Sequence, residues 1–217
     1  GRAAELEAEP GSSVLELKRQ VEGLWGVAPM CQRLVLGSHL LADAESLAVY
    51  AEGEGAVLSI MMLVSLEEAF ETLCHPMTCR RLQGIAALAE LGAVGGEDAV
   101  AALTVSVHDW NEDVRCAALC SLPRVAERGA AAAVTAVCCC LEDSSEAVRH
   151  VAVGSLASLA RRGDAHAVIL AAARLQDSDA RVRQVAAGAL AQLAEGGDSV
   201  TVAAVCARLE DQTASVR

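Results

Sequence analysis

Residues 150–177 read HVAVGSLASLARRGDAHAVILAAARLQD. Apolar residues fall on one helical stripe as far as Leu159, an Arg-Arg-Gly-Asp break follows, and a second apolar run leads to Asp177. The same frame returns along the chain. Val-Arg stands at 114–115, 148–149, 182–183 and 216–217, 34 residues apart each time, and Arg80-Arg81 sits in register ahead of them. Counted from the second residue of each pair, leucine follows at seven (Leu88, Leu122, Leu156, Leu190) and Leu or Val at ten (Leu91, Val125, Leu159, Leu193). Glycine follows at fourteen (Gly95, Gly129, Gly163, Gly197), valine at nineteen (Val100, Val134, Val168, Val202) and aspartate at twenty-eight (Asp109, Asp143, Asp177, Asp211). A fixed, gapless period of this length marks units that stack on one another.

Each unit reads as two helices. The first runs from a few residues before the arginine to about eleven after it, with apolar positions at three, seven and ten on one face. The glycine at fourteen is expected to end that helix, because glycine tolerates the left-handed geometry of a helix stop. The second helix is short. The aspartate at twenty-eight lies in the turn after it, where a carboxylate satisfies exposed N–H groups. Pro123 falls inside a first helix, so a bend is expected there.

These residues resemble HEAT repeats, in the short variety with the pattern D…VR..A..AL..LA..GD..AV..L known as phycobilisome-lyase HEAT-like repeats. The resemblance covers roughly the last 140 residues. It implies an α-solenoid in which Asp109, Asp143 and Asp177 form a hydrogen-bonded ladder with Arg115, Arg149 and Arg183 along the stack. The six-residue spacing from each Asp to the next Arg is expected to bring a guanidinium fork to a carboxylate across the turn. Val216-Arg217 should open a further helix, and a solenoid needs a polar capping unit. Residues 65–217 are therefore expected to be an array truncated at its C-terminus.

Residues 1–64 are punctuated differently. Leu6-Glu7-Ala8-Glu9-Pro10 reads as a strand leading to a turn. Ser13 with Glu16 forms a capping box ahead of a helix carrying Val14, Leu17, Lys18 and Val21. Gln32-Arg33-Leu34-Val35-Leu36 and Val57-Leu58-Ser59-Ile60-Met61 read as strands, and Ser65 with Glu68 as a second capping box opening a helix over 66–74. The order of these segments, with Gly26-Val27-x-Pro29, Leu41-x-Asp43 and Ser46-Leu47-x-x-Tyr50 between them, resembles ubiquitin from residue 3 to residue 62. The pattern begins at that fold's second strand. The resemblance thus implies a ubiquitin-like (β-grasp) domain lacking its first strand, which in that fold lies between the second and the last. It also implies a docking patch for ubiquitin-receptor-type protein partners at Val35, Ser59 and Met61. The segment runs into a helix without a di-glycine end, so conjugation through its tail is not expected, and Lys18 is the only lysine that could accept a ubiquitin. No Gly/Ser/Pro-rich linker separates residues 1–64 from 65–217.

Composition bounds the function. Hydrophobic residues make up 53% and aromatics 2%, so the core must be built from Ala, Leu and Val. Disorder is excluded as the dominant state, and no apolar stretch reaches the length of a membrane span. The formal charge of −12 argues against a nucleic-acid or anionic-membrane partner, which needs clustered Lys and Arg. The nine cysteines are odd in number, with no CxxC pair and no secretory signal in view. Free buried thiols in a reducing intracellular compartment, the cytoplasm above all, are the expectation. His39, His75, His108, His150 and His166 share no repeat offset, and Cys74-His75 is the nearest Cys/His pair. No catalytic, cofactor-binding or metal-ligating residue is expected.

The fold expected is an α-solenoid of HEAT-like hairpins behind an N-terminal α+β ubiquitin-like segment. The function expected is a non-catalytic protein-interaction scaffold that works through an extended concave surface and the docking patch. The repeat resemblance implies one alternative, a lyase or chaperone-like factor for a tetrapyrrole such as a bilin.

Overall fold

Four first helices of equal length carry the structure, a computed structural model that describes residues 3–9, 11–51, 56–194 and 206. The positions Pro10, Gly197, Val202, Asp211 and Val216-Arg217 lie outside the described residues. At the N-terminal end come α1 (Val14–Trp25), β1 (Gln32–Leu36), β2 (His39–Leu40) and β3 (Ile60–Val64), with short 3-10 turns at Pro29–Cys31 and Leu47–Val49. The helices that follow are α2 (Glu67–Leu73), α3 (Thr78–Leu91), α4 (Gly96–Ser106), α5 (Glu112–Val125), α6 (Ala131–Cys139), α7 (Glu146–Leu159), α8 (Ala165–Ala173) and α9 (Ala180–Leu193).

The first helices α3, α5, α7 and α9 each start three residues before their arginine and stop ten after it. Leu88, Leu122, Leu156 and Leu190 are fully buried, and Ala118, Ala152 and Ala186 three residues beyond the arginine are too. Small side chains at that position let neighbouring first helices pack directly on one another. One apolar core runs from Val27, Ala28 and Cys31 through α2 to Leu193, so the array and the N-terminal segment are joined without a gap.

The glycine at fourteen has a different task from the one expected. The first helices α5 and α7 end four residues earlier, at Val125 and Leu159, and are followed by extended Ala126 and Ala160. Gly129 and Gly163 then turn the chain at φ 86° and 76°, a region that penalises any Cβ. Their N–H groups donate to Leu159 O at 2.6 Å and Leu193 O at 2.8 Å, at the end of the next unit's first helix. Arg128 and Arg162 reach the same ends, at Ala160 O (2.8 Å) and Ala194 O (3.5 Å). Each unit thus satisfies carbonyls that the following helix leaves open.

Pro123 lies within α5, which keeps the 14-residue length of its counterparts and ends two residues later. Proline has no N–H, so Leu119 O loses its helical donor. The buried hydroxyl of Ser155, on the next unit, donates to that oxygen at 2.8 Å.

The N-terminal segment holds a three-stranded antiparallel sheet in the order β2-β1-β3. The capping box of Ser13 and Glu16 is formed, and α1 lays Val14 and Leu17 against Leu34, Leu41 and Leu47. Three expectations are corrected. Leu6 to Glu9 is exposed and without regular structure, since no described strand pairs with it. The last strand begins at Ile60 rather than Val57 and runs to Val64. Helix α2 starts at Glu67 without the second capping box; the Ser65 hydroxyl only accepts the Glu67 N–H, at 3.4 Å.

The Ser155 contact predicts a coupled pair. Ser155→Ala should cost about 1–2 kcal/mol, the penalty of a buried carbonyl without a donor. In a Pro123→Ala background, where residue 123 again supplies an N–H, the same change should cost clearly less. Urea denaturation of the four proteins measures the difference.

Candidate functional site

The sheet presents one face to α1 and one outward. Cross-strand register places Val35 opposite Leu40 on one side and opposite Met61 on the other, so Leu40, Val35 and Met61 form a row across the sheet. Arg33 and Leu63 make the next row on the same face. Met61 is 60% exposed, Leu40 52% and Leu63 50%, while Val35 is half-buried. Ser59 is exposed but sits just outside β3, ahead of the row rather than in it. Sequence reasoning missed Leu40 and Leu63. The two-residue Gly37-Ser38 turn would have shown Leu40, because a hairpin that short pins the register.

A second constellation lies in the turns between units. Arg81, Arg115 and Arg149 each make a two-bond fork to an aspartate 28 residues on. Arg81 Nε donates to Asp109 at 2.8 Å and Nη2 at 3.1 Å. The Arg115–Asp143 fork measures 2.8 Å on both arms, and the Arg149–Asp177 fork 2.8 and 3.0 Å. The six-residue spacing serves a different bond from the one expected. Arg115, Arg149 and Arg183 use Nη1 to hold the backbone carbonyls of Asp109, Asp143 and Asp177, at 2.9, 2.9 and 3.0 Å. Each carboxylate also accepts the N–H two residues on, from Asn111, Ser145 and Asp179. Arg81 joins this set, which sequence reasoning had begun at Arg115. Its guanidinium also lies 4.7 Å from the exposed Trp110 ring.

Burial raises the carboxyl pKa of Asp143, but its hydrogen bonds from Arg115 and Ser145 outweigh burial and the net value is lowered. Asp177 is lowered in the same way, with Arg149 and Asp179 as its donors.

The third surface is the face of the second helices. Beyond their first turns, the exposed side chains of α4, α6 and α8 are Ala101, Val105, Thr135, Cys139, Ile169 and Ala173, none of them charged. Helices α6 and α8 leave a groove of about 360 Å³ between them, with Cys138, Cys139, His166 and Arg174 in its walls. Burial, followed by Cys139 and Asp164, pushes up the Cys138 thiol. Cys140 is raised to about 11, by burial first and Asp143 next. Cys31 is likewise raised to about 11, by burial first and then Glu68 and Glu90. The nine thiols are free, yet only Cys31 and Cys140 are buried; Cys120, expected inside, is exposed. Helical rotation spreads the Cys138, Cys139 and Cys140 run over three degrees of exposure. Among the described residues no three His, Cys, Asp or Glu side chains group as a metal site, and no helix is long and apolar enough to cross a membrane.

Residues 134–217 match the family model for HEAT repeats. No curated protein matches the chain. Among solved structures it is similar to the complex of CpcE and CpcF of phycocyanin lyase from Nostoc sp. PCC7120, at 19% identity and TM-score 0.55, over 70% of this chain and 93% of that one. It is also similar to a designed armadillo repeat protein in complex with a (KR)4 peptide, at 18% identity and TM-score 0.53, over 70% of this chain and 77% of that one. At these identities the likeness is one of fold: a helical-repeat stack of the HEAT and armadillo kind.

Two outcomes follow from the forks. Arg149→Ala should cost about 3 kcal/mol, the low end for breaking a buried pair, because Arg149 keeps 14% of its side chain in solvent while Asp177 keeps 5%. Urea denaturation reads this, with Arg149→Lys recovering only part. The lowered Asp143 and Asp177 values make their stabilisation complete above the ordinary aspartate value of about 4 and lost as pH falls through the lower folded values. Stability should therefore drop below about pH 4, and less steeply in Asp177→Asn.

Proposed function

We propose that this chain is a non-catalytic scaffold for protein partners. The observation that carries the reading is the second-helix face. In a chain of net charge −12, three successive units expose only uncharged side chains there beyond the first turn of each helix. The arginine forks hold those units in one register. Surfaces of this kind in stacked-repeat proteins suit extended contact with another chain. Net negative charge keeps nucleic acid and anionic membranes off the partner list. Free thiols suit a reducing compartment, the cytoplasm first.

The scaffold reading divides the chain into a ubiquitin-like module over residues 1–64 and a HEAT-like array over 65–217. The module reading draws support from the β2-β1-β3 order, from α1 packed on one sheet face, and from the capped entry to α1. It assigns docking of a ubiquitin-receptor-type helix to Val35, Met61 and the neighbouring Leu40 and Leu63, with Ser59 at the margin. The tetrapyrrole alternative has the fold likeness in its favour. The Cys140 thiol, raised to about 11 by burial first, counts against it, since that site supplies no thiolate at neutral pH.

Met61 lies outside the apolar clusters, so Met61→Asp should leave the fold intact. Titration with an amphipathic ubiquitin-binding helix should show Met61→Asp weakened by about 1–3 kcal/mol, the cost of a polar group buried without a partner. Equal binding by both proteins, or none, would remove the sheet face from the reading. A bilin that shifts its absorbance on mixing with the protein would move the reading towards the tetrapyrrole role.

A further inference from the structure

We propose that Lys18 is an acylation site gated by folding: an acyl donor reaches it only in molecules whose N-terminal segment has opened. Lys18 is the single lysine among 17 basic residues, so it is the one side-chain amine of these 217 residues. It is also closed. Its side chain is 4% exposed, and Nζ lies 2.6 Å from Asp43 Oδ1. It shares the buried face of α1 with Val14, Leu17 and Val21.

Backbone bonds keep it there. Val14 N donates to Glu45 O at 2.9 Å and Leu15 N to Asp43 O at 3.1 Å, tying the start of α1 to the segment that carries Asp43. Further along, the buried Gln32 Nε2 donates to Lys18 O at 2.8 Å and to Val27 O at 2.6 Å, tying α1 to β1. Asp43 is 48% exposed, so the pair sits at the edge of the segment, but the amine stays covered while these bonds hold α1 on the sheet.

The chemistry is ordinary once the amine is free. Deprotonated Nζ attacks the carbonyl of an acyl thioester, a C–N bond forms, the C–S bond breaks, the thiol group leaves as thiolate and the nitrogen loses a proton. The product is a neutral amide. It is larger than the ammonium it replaces and cannot form the ion pair with Asp43, so the acylated chain cannot close again around residue 18. Acylation therefore marks opened molecules and keeps them open. This bears on regulation or disposal of the protein and is independent of the docking face.

The test uses the whole 217-residue chain. The probe is an acetyl N-hydroxysuccinimide ester at pH 8, with peptide mapping to separate Lys18 from the N-terminal amine. A free peptide of residues 14–22 is the reference. Lys18 should react at least about tenfold more slowly than the peptide, since reaction waits on local opening. Its rate should climb to the peptide's as urea unfolds the segment, and Asp43→Asn should raise the rate in buffer. Protein acetylated in urea and returned to buffer should keep its helical signal but fail to recover the amide spectrum of residues 11–64. Labelling of the untreated protein at the peptide rate would overturn the proposal. So would a rate that ignores urea, which would mean that side-chain motion alone frees the amine. Full recovery of the spectrum after acetylation would overturn the locking step.

Discussion

A guanidinium is rigid, planar and permanently charged, and those of Arg81, Arg115 and Arg149 each join two units at once. One nitrogen holds the carbonyls of the turn that precedes its own helix, while the other two clasp the carboxylate of the turn that follows. That carboxylate in turn accepts an N–H of its own turn. Every rung therefore fixes a turn and also the spacing to the next turn. Removing a fork would leave a mostly buried carboxylate and two backbone carbonyls short of donors, which water at the surface compensates only in part.

On the other side of the helices the units are joined by backbone and arginine. Gly129 and Gly163 donate across to the next first helix, and Arg128 and Arg162 cover the adjoining carbonyls. Cys140 and Arg174 reach backwards, to Val107 O and Leu141 O. The polar groups that a helix end exposes are thus used up between units. The exposed side chains of α4, α6 and α8 beyond their first turns take no part in these bonds and carry no charge. That surface is the one the scaffold reading assigns to recognition.

The extent to which the sequence foretold this follows from what a period encodes. The 34-residue frame located the four first helices and identified Arg115, Arg149, Asp143 and Asp177 as related positions. A period says which residues are equivalent, not which of them touch. The Asp–Arg spacing of six was closer in sequence than the spacing of 28, yet the longer one carries the forks. Gly129 looked like a helix stop for the same reason: its partner, Leu159 O, belongs to another unit. In β3 the run Ile-Met-Met-Leu-Val has no polar alternation, so neither its start nor its outward face could be read from pattern. Leu6 to Glu9 has alternation but no neighbour among the described strands, and a strand is a property of two segments. The closed state of Lys18 depended on Asp43, 25 residues away in sequence, and on a sheet register invisible to composition.

The central claim is that the units are locked to one another and open together. Hydrogen exchange of the Gly129 and Gly163 amides tests it most directly, because each amide is an inter-unit bond. The claim predicts that they exchange as slowly as the Leu122 and Leu156 amides inside the first helices, and that Asp143→Asn speeds all four together. Fast exchange at the two glycines with the leucine amides still protected would show units that fold separately, and would contradict it.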